Sequence, residues 1–198
     1  MFTGIIEALG GVKSKQMEGS NCLFTIEAPL ASELQVDQSV SHNGVCLTVT
    51  ALLPNNQYQV VAVEETLEKS NLGDMQVGSL INLERSMKWG GRVDGHLVQG
   101  HVDLTGTCIN IQEKDGSWIF TFEFQSRNRH HLVVEKGSIC INGVSLTCFN
   151  TSEHSFDVTI IPYTFEHTNF HRLNPGHSVN LEFDIIGKYV QRLIEKPD

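Results

Sequence analysis

The chain contains the same string twice, and a duplication restricts the fold more than any single motif. Asn43-Gly44-Val45-Cys46-Leu47-Thr48 returns as Asn142-Gly143-Val144-Ser145-Leu146-Thr147, differing at one position. Thr66 follows Thr48 by 18 residues and Thr164 follows Thr147 by 17. Val77-Gly78 and Ile81-Asn82-Leu83-Glu84 then match Pro175-Gly176 and Val179-Asn180-Leu181-Glu182 at a constant offset of 98. Upstream, Gly4-Ile5-Ile6-Glu7 pairs with Gly100-His101-Val102-Asp103. One short match arises by chance, but several in the same order at nearly constant spacing mark an internal repeat. In 198 residues, each unit spans about 90, enough for a small independent domain. The expected division is 1–92, 93–184 and a distinct tail over 185–198. The hinge falls near Trp89-Gly90-Gly91-Arg92.

Within each unit the short-range pattern is that of strands. Residues 24–28 and 120–124 alternate apolar with polar side chains, and 58–63 and 156–161 are rich in β-formers. Asn-Gly in both hexapeptides predicts a tight turn between strands, because both residues tolerate positive φ. Short helices are expected over 30–34 and 65–72. Five or six strands in about 90 residues suggest a small closed or nearly closed barrel, which removes sheet edges. The predicted fold is therefore all-β, two similar barrels in tandem. In the tail, Ile186, Tyr189, Val190, Leu193 and Ile194 recur at helical steps, the mark of one apolar helix face. That face packs either on its own barrels, the usual case, or on copies of itself.

A formal charge of −9 opposes sequence-independent binding to nucleic acid or to an anionic membrane surface. No stretch approaches the ~20 apolar residues of a membrane span, and the first residues lack the pattern of a signal peptide, so a cytoplasmic protein is expected. The five cysteines, Cys22, Cys46, Cys108, Cys140 and Cys148, are odd in number and lack a Cys-x-x-Cys pair. Neither a disulfide framework nor a Cys-rich zinc site is indicated, and most should be small buried hydrophobes. His167-x-x-x-His171 has a spacing compatible with a metal on a helix, but with no third ligand evident a polar surface is the better reading. Gly90-Gly91-Arg92 lacks the strand–helix context and the Lys-Ser/Thr of a phosphate loop, so it reads as linker.

Four strings together resemble the riboflavin synthase α-chain family: Met1-Phe2-Thr3-Gly4-Ile5-Ile6-Glu7, Ser39-Val40-Ser41-His42-Asn43-Gly44-Val45-Cys46-Leu47-Thr48-Val49-Thr50, Gly95-His96-Leu97-Val98-Gln99-Gly100-His101-Val102-Asp103, and Asp184-Ile185-Ile186-Gly187-Lys188-Tyr189. The resemblance runs from end to end. It implies two six-stranded Greek-key barrels, each holding one lumazine, and a C-terminal helix that assembles a homotrimer. The active site then lies between the N-terminal barrel of one subunit and the C-terminal barrel of a neighbour. The implied reaction is a dismutation of two 6,7-dimethyl-8-ribityllumazine molecules, giving riboflavin and 5-amino-6-ribitylaminouracil. Neither a metal nor an added cofactor is implied; association with lumazine synthase is.

The implied catalytic candidates are His101, Cys46, Ser145 and Asp184. Imidazole is the side chain suited to proton transfer near neutral pH, and His101 stands where the first repeat has Ile5, which makes it the first choice for that role; the alternative is a hydrogen-bonded structural histidine. His96 reads as structural. Cys46 and Ser145 are the one mismatch in the repeated hexapeptide, so the two pockets should treat their ligands differently. For Cys46 a binding role is favoured over covalent addition. Asp184 assists proton transfer or positions a partner, with an interfacial salt bridge as the alternative.

The resemblance further surrounds one lumazine with Ser39, Cys46, Leu47, Thr48 and Thr66, and the other with Lys136, Ser145, Leu146, Thr147 and Thr164. Alone, the threonines read as β-formers and Lys136 as solvated. Gly4, Ile5 and Ile6, with Gly100, His101 and Val102, are the paired entry segments. Val61, Ala62, Val63, Glu64 and Glu65, with Thr159, Ile160, Ile161, Pro162 and Tyr163, should border the ring and the ribityl chain through backbone groups. Tyr163 departs from the family, which commonly has an acid there, as Glu65 is in the first repeat. The rival function is a non-catalytic lumazine- or flavin-binding fluorescent protein. It is disfavoured because both hexapeptides, both threonines and His101 are present. A flavin barrel of an oxidoreductase would need a nicotinamide-binding domain, and no Gly-x-Gly-x-x-Gly in βαβ context occurs. A purely structural module would leave the paired polar motifs unexplained.

Overall fold

The structure, a computed structural model, describes residues 1–125 and 131–194; the last four residues of the expected tail, 195–198, lie outside the described part. Six strands, β1 (Ala8–Glu18), β2 (Asn21–Glu27), β3 (Ser39–His42), β4 (Val45–Leu53), β5 (Gln57–Ala62) and β6 (Leu80–Arg85), close into an antiparallel barrel in the order β1-β2-β5-β4-β3-β6. The second repeat copies it with β7 (Leu104–Lys114), β8 (Ser117–Glu123), β9 (Ser138–Ile141), β10 (Val144–Phe149), β11 (Ser155–Ile160) and β12 (Ser178–Phe183). The helix expected over 65–72 is broken in two: α1 (Glu64–Lys69), then a 3-10 turn at Asn71–Asp74. Their counterparts are α2 (Pro162–His167) and Asn169–Arg172.

Period-two burial explains the closure. In β5, Tyr58, Val60 and Ala62 face inward, and in β11 Phe156, Val158 and Ile160 do the same. Register shifts at Val12/Ser14 in β1 and Cys108/Asn110 in β7 mark equivalent bulges, which sharpen strand curvature and let a six-stranded sheet close. The first core is mostly aliphatic, and the second is built around Phe120, Phe122, Phe124, Phe156, Phe170 and Phe183.

The two barrels meet at the Asn-Gly turns. Asn43 and Gly44 have φ of 48° and 81°, Asn142 and Gly143 of 46° and 83°, as a two-residue hairpin with both central residues left-handed requires. Around these turns lies a buried asparagine seam. Asn82 Nδ2 donates to Asn142 O (2.9 Å) and Asn180 Nδ2 to Asn43 O (2.8 Å), so each β6-type strand ties down the other barrel's turn. Asn71 N donates to Asn180 Oδ1 and Asn169 N to Asn82 Oδ1. Such a seam holds the barrels in one relative orientation, because each buried amide left unpaired costs about 1–3 kcal/mol.

The segments that precede β1 and β7 are exchanged. Phe2 and Val98 pair through two backbone bonds. From that crossing, Ile6 packs on the second core and Val102 on the first. The chain ends in α3 (Ile185–Ile194). Asp184 caps it by accepting from Ile186 N, and Lys188 Nζ lies 2.6 Å from Asp103 Oδ2, which holds its first turns against the second barrel. Apart from the partly buried Ile185, its apolar residues are not covered by the chain's own barrels: Ile186, Tyr189, Val190, Leu193 and Ile194 are all exposed, Leu193 to 84%. No helix among the described residues is long and apolar enough to cross a membrane.

Candidate active site

The exchange of entry segments builds two related sites. At the first, β4 presents Cys46, whose N–H donates to Gly100 O (2.8 Å). A cavity of about 260 Å³ opens there, lined by Val45, Cys46, Glu65, Thr66, Lys69, Ser70, Gly100, His101 and Val102. Six of the residues expected at the site thus share one wall, drawn from β4, α1 and the segment before β7. His101 is exposed and Cys46 half-buried.

At the second site β10 presents Ser145, whose N–H donates to Gly4 O, also at 2.8 Å. Ser145 Oγ lies 2.7 Å from His96 Nδ1. Burial holds the His96 ring below its ordinary basicity, against the opposing pull of the Asp184 charge. A neutral ring can accept the serine proton. His96, which the sequence reading treats as structural, is therefore in contact with a candidate catalytic residue. Only the fold reveals that contact. Ile5, at the place His101 takes in the first site, is 46% exposed.

The close passage of each entry segment demands glycine. A Cβ on Gly100 (φ +82°) would stand 2.6 Å from Cys46 Cβ, and one on Gly4 (φ +78°) 2.5 Å from Ser145 Cβ. We expect Gly100→Ala to cost about 1–3 kcal/mol from the left-handed backbone alone, and to push the His101 segment off Cys46. A lowered melting temperature together with weaker ligand binding checks this; unchanged values for both would contradict it.

The remaining candidates fall around these centres. Ser39 and Thr48 face one another across β3 and β4. Leu47 and Ala62 point into the first core, while Val61 is next to last in β5, Val63 precedes α1, and Val63 and Glu64 are exposed. None of these seven lines the first cavity. In the second barrel Leu146 packs on the core and Thr147 is exposed. Thr159 is exposed and Ile160 buried at the end of β11, Ile161 is exposed, and Pro162 opens α2, which carries Thr164. Tyr163, 68% exposed, stacks on His167 with centroids 4.1 Å apart. Lys136 sits on an exposed turn at φ 64°, its Nζ 5.5 Å from the Phe149 ring centre. Asp184 is a helix cap, and its charge reaches His96. His167 and His171 do not share a helix, and each bonds through Nδ1 to a backbone carbonyl of its own.

Two buried carboxylates hold the entry segments, and neither stands out in the sequence except as a matched pair in the repeat. Glu84 accepts from Thr3 N, Thr3 Oγ1 and Gly4 N at 2.6–2.9 Å. Glu182 accepts from Gln99 N, Gly100 N and His101 N at 2.6, 2.9 and 2.8 Å. Burial pushes the Glu182 carboxyl up from 4.5 to about 7, outweighing the amide bonds and the Lys188 charge, and raises Glu84 as well. Cys140 is driven up by burial and by the charges of both carboxylates. Between pH 4.5 and about 7 the folded chain keeps a proton on Glu182 that the unfolded chain has released, so its contribution to stability falls as pH rises through that window. Glu182→Gln should flatten the slope. Denaturation at about pH 5 and about pH 7 measures it, and equal slopes in both proteins would contradict the assignment.

A family model described as a lumazine binding domain matches residues 3–86 and again 99–184. The riboflavin synthase of Actinobacillus pleuropneumoniae is 39% identical over 199 residues, covering 100% of this chain and 92% of that protein. The chain belongs to the riboflavin synthase family. The Bacillus subtilis riboflavin synthase is likewise 39% identical, covering 99% of the chain and 91% of the relative. LumP in complex with 6,7-dimethyl-8-(1'-D-ribityl) lumazine shares the fold, with a TM-score of 0.83 at 21% identity over 92% of this chain and 98% of LumP. LumP with riboflavin gives 0.85 at 20% identity, over 92% and 99%. Within the riboflavin synthase family the doubled barrel and its two lumazine-binding domains are accounted for together.

Proposed function

We propose that the chain catalyses the dismutation of two 6,7-dimethyl-8-ribityllumazine molecules to riboflavin and 5-amino-6-ribitylaminouracil. The observation that carries this reading is the doubling of the site: Cys46 against Gly100 and Ser145 against Gly4, each at 2.8 Å, each in its own barrel. Two like substrates need two like pockets. Because one lumazine gives four carbons and the other receives them, atoms balance with no oxidant or reductant.

The chemistry asks for a proton to leave the C7 methyl of one ring, for a nucleophile to add to the other, and for both rings to be held in register. His101 is the group for proton transfer in the first cavity, beside Cys46 and Thr66. In the second site the Ser145 hydroxyl, bonded to a neutral His96, is the group for addition or for orienting the second ring. Hydroxyls on Thr66 and Thr164 both donate and accept, which suits the carbonyls and ring nitrogens of a lumazine edge. Tyr163 in place of an acid gives the second pocket a different ribityl wall.

The pockets face each other only if subunits assemble. We read α3 as the contact of a homotrimer in which the first barrel of one subunit meets the second barrel of the next. The uncovered apolar face of α3 supports this, as do the exposed rims at His101, Ile5, Ile161 and Tyr163. Mixing the protein with 6,7-dimethyl-8-ribityllumazine tests the reading. Riboflavin and the ribitylaminouracil should form in equal amounts. A stable fluorescent complex with no riboflavin would favour binding without chemistry.

A further inference from the structure

We propose that Glu182 is the positioning residue that sets His101 in the first cavity, acting through a backbone clamp built on the opposite barrel. The inference rests on the dismutase reading for its catalytic consequence, but the clamp itself is a matter of geometry. Three consecutive amides, of Gln99, Gly100 and His101, converge on one carboxylate that is 2% exposed. Successive N–H groups turned to one side form a concave anion cradle, and Gly100 at φ +82° supplies the turn that lets them do so. Two residues on, Asp103 N donates to Leu181 O and Asp103 Oδ2 accepts from Phe183 N. The backbone on both sides of His101 is thus pinned to β12 of the second barrel. Gly100, His101 and Val102 nevertheless line the cavity of the first.

A carboxylate is an expensive way to hold a loop. Keeping one ionised in burial costs several kcal/mol before its bonds are counted, which is why burial raises the Glu182 carboxyl, and a neutral amide would serve the fold alone. The repeat supplies an internal comparison. Glu84, at the equivalent place, grips only Thr3 and Gly4. Glu182 reaches one residue further, to the N–H of the residue that carries the imidazole. The longer clamp coincides with the entry segment that bears a titratable group, while the shorter one leads to Ile5. Each barrel's carboxylate therefore orders the segment that completes the other barrel's site. Lys188 on α3 acts on the Glu182 charge, and Cys140 on β9, opposite Glu182 in register, feels the charges of both Glu182 and Glu84.

Three measurements on the full chain test this. In the unmodified protein, the Gln99, Gly100 and His101 amides should exchange hydrogen far more slowly than those of the exposed turn at Asp115 and Gly116. Exchange at the same rate would overturn the clamp, whether or not the protein makes riboflavin. Glu182→Gln should lower kcat by about 10- to 100-fold, as displacement of a reacting group does, with KM changed much less. A fall in KM-dependent binding with kcat intact would overturn the positioning role. Finally, E182Q combined with H101A should turn over no more slowly than H101A alone, to within about twofold. Multiplying losses would mean that Glu182 acts elsewhere. If E182Q does not fold, E182D, which keeps the charge and shortens the reach, carries the same cycle. If the unmodified chain makes no riboflavin, the functional reading fails while the exchange rates still decide the clamp.

Discussion

Replacing His101 with alanine should lower kcat for riboflavin formation by about 10²–10⁴-fold, the usual worth of a positioned acid or base. Affinity for the lumazine should change only a few-fold, because the rest of the cavity wall, with Cys46, Glu65, Thr66 and Lys69, stays in place. Among the described residues no second imidazole lines this cavity. Ile5 holds the equivalent place in the second site, and His96 is engaged with Ser145. Steady-state formation of riboflavin gives kcat, and titration of lumazine fluorescence gives the affinity. Turnover at the wild-type rate would remove His101 from the mechanism.

Deleting the chain from Ile186 onward should leave folded but monomeric protein with riboflavin formation at background. Ile186, Tyr189, Val190, Leu193 and Ile194 are exposed in the single chain. Covering such side chains in a helix–helix contact gains about 1.5–3 kcal/mol each, against an association cost of about 4–15 kcal/mol. The assembly therefore depends on most of the stripe. Both barrels close without α3, and the entry segments are held by Glu84 and Glu182, so each half-site survives in the monomer. In the proposed trimer, what would be lost is the apposition of two pockets from different subunits. Sedimentation and the riboflavin assay measure the two effects together. Leu193→Asp, which spares the Asp103–Lys188 contact, should act in the same direction. A fully active monomer would contradict the inter-subunit site.

Much of the fold is legible because its signals are local and repeated. The β-formers over 58–63 and 156–161 become β5 and β11, and the two Asn-Gly pairs become the two-residue turns. The repeat also placed Cys46 and Ser145 at matching positions. The exchange of entry segments is not legible. Gly4 meets Ser145, and Gly100 meets Cys46, across long sequence separations, and no periodicity encodes which barrel a preceding strand-less segment will join. The contact of His96 is hidden for the same reason, since its partner Ser145 lies in the hairpin of the second repeat. Phe2, fully buried with Val98 and Cys140 beside Cys46, is hidden as an ordinary apolar residue. The helical period in the tail shows an apolar face, but a period says nothing about what covers it. Glu84 and Glu182 were visible as a matched pair, yet a surface glutamate and a buried one look alike until the amides that surround them are placed.

A lumazine analogue that cannot react offers the most direct test, through the structure of the assembled protein with that analogue bound. Two molecules per chain should appear, one beside Cys46 and His101 and one beside Ser145 and His96, with the rings of neighbouring subunits face to face. A single molecule per chain, with the other barrel sealed by its own side chains, would contradict the account.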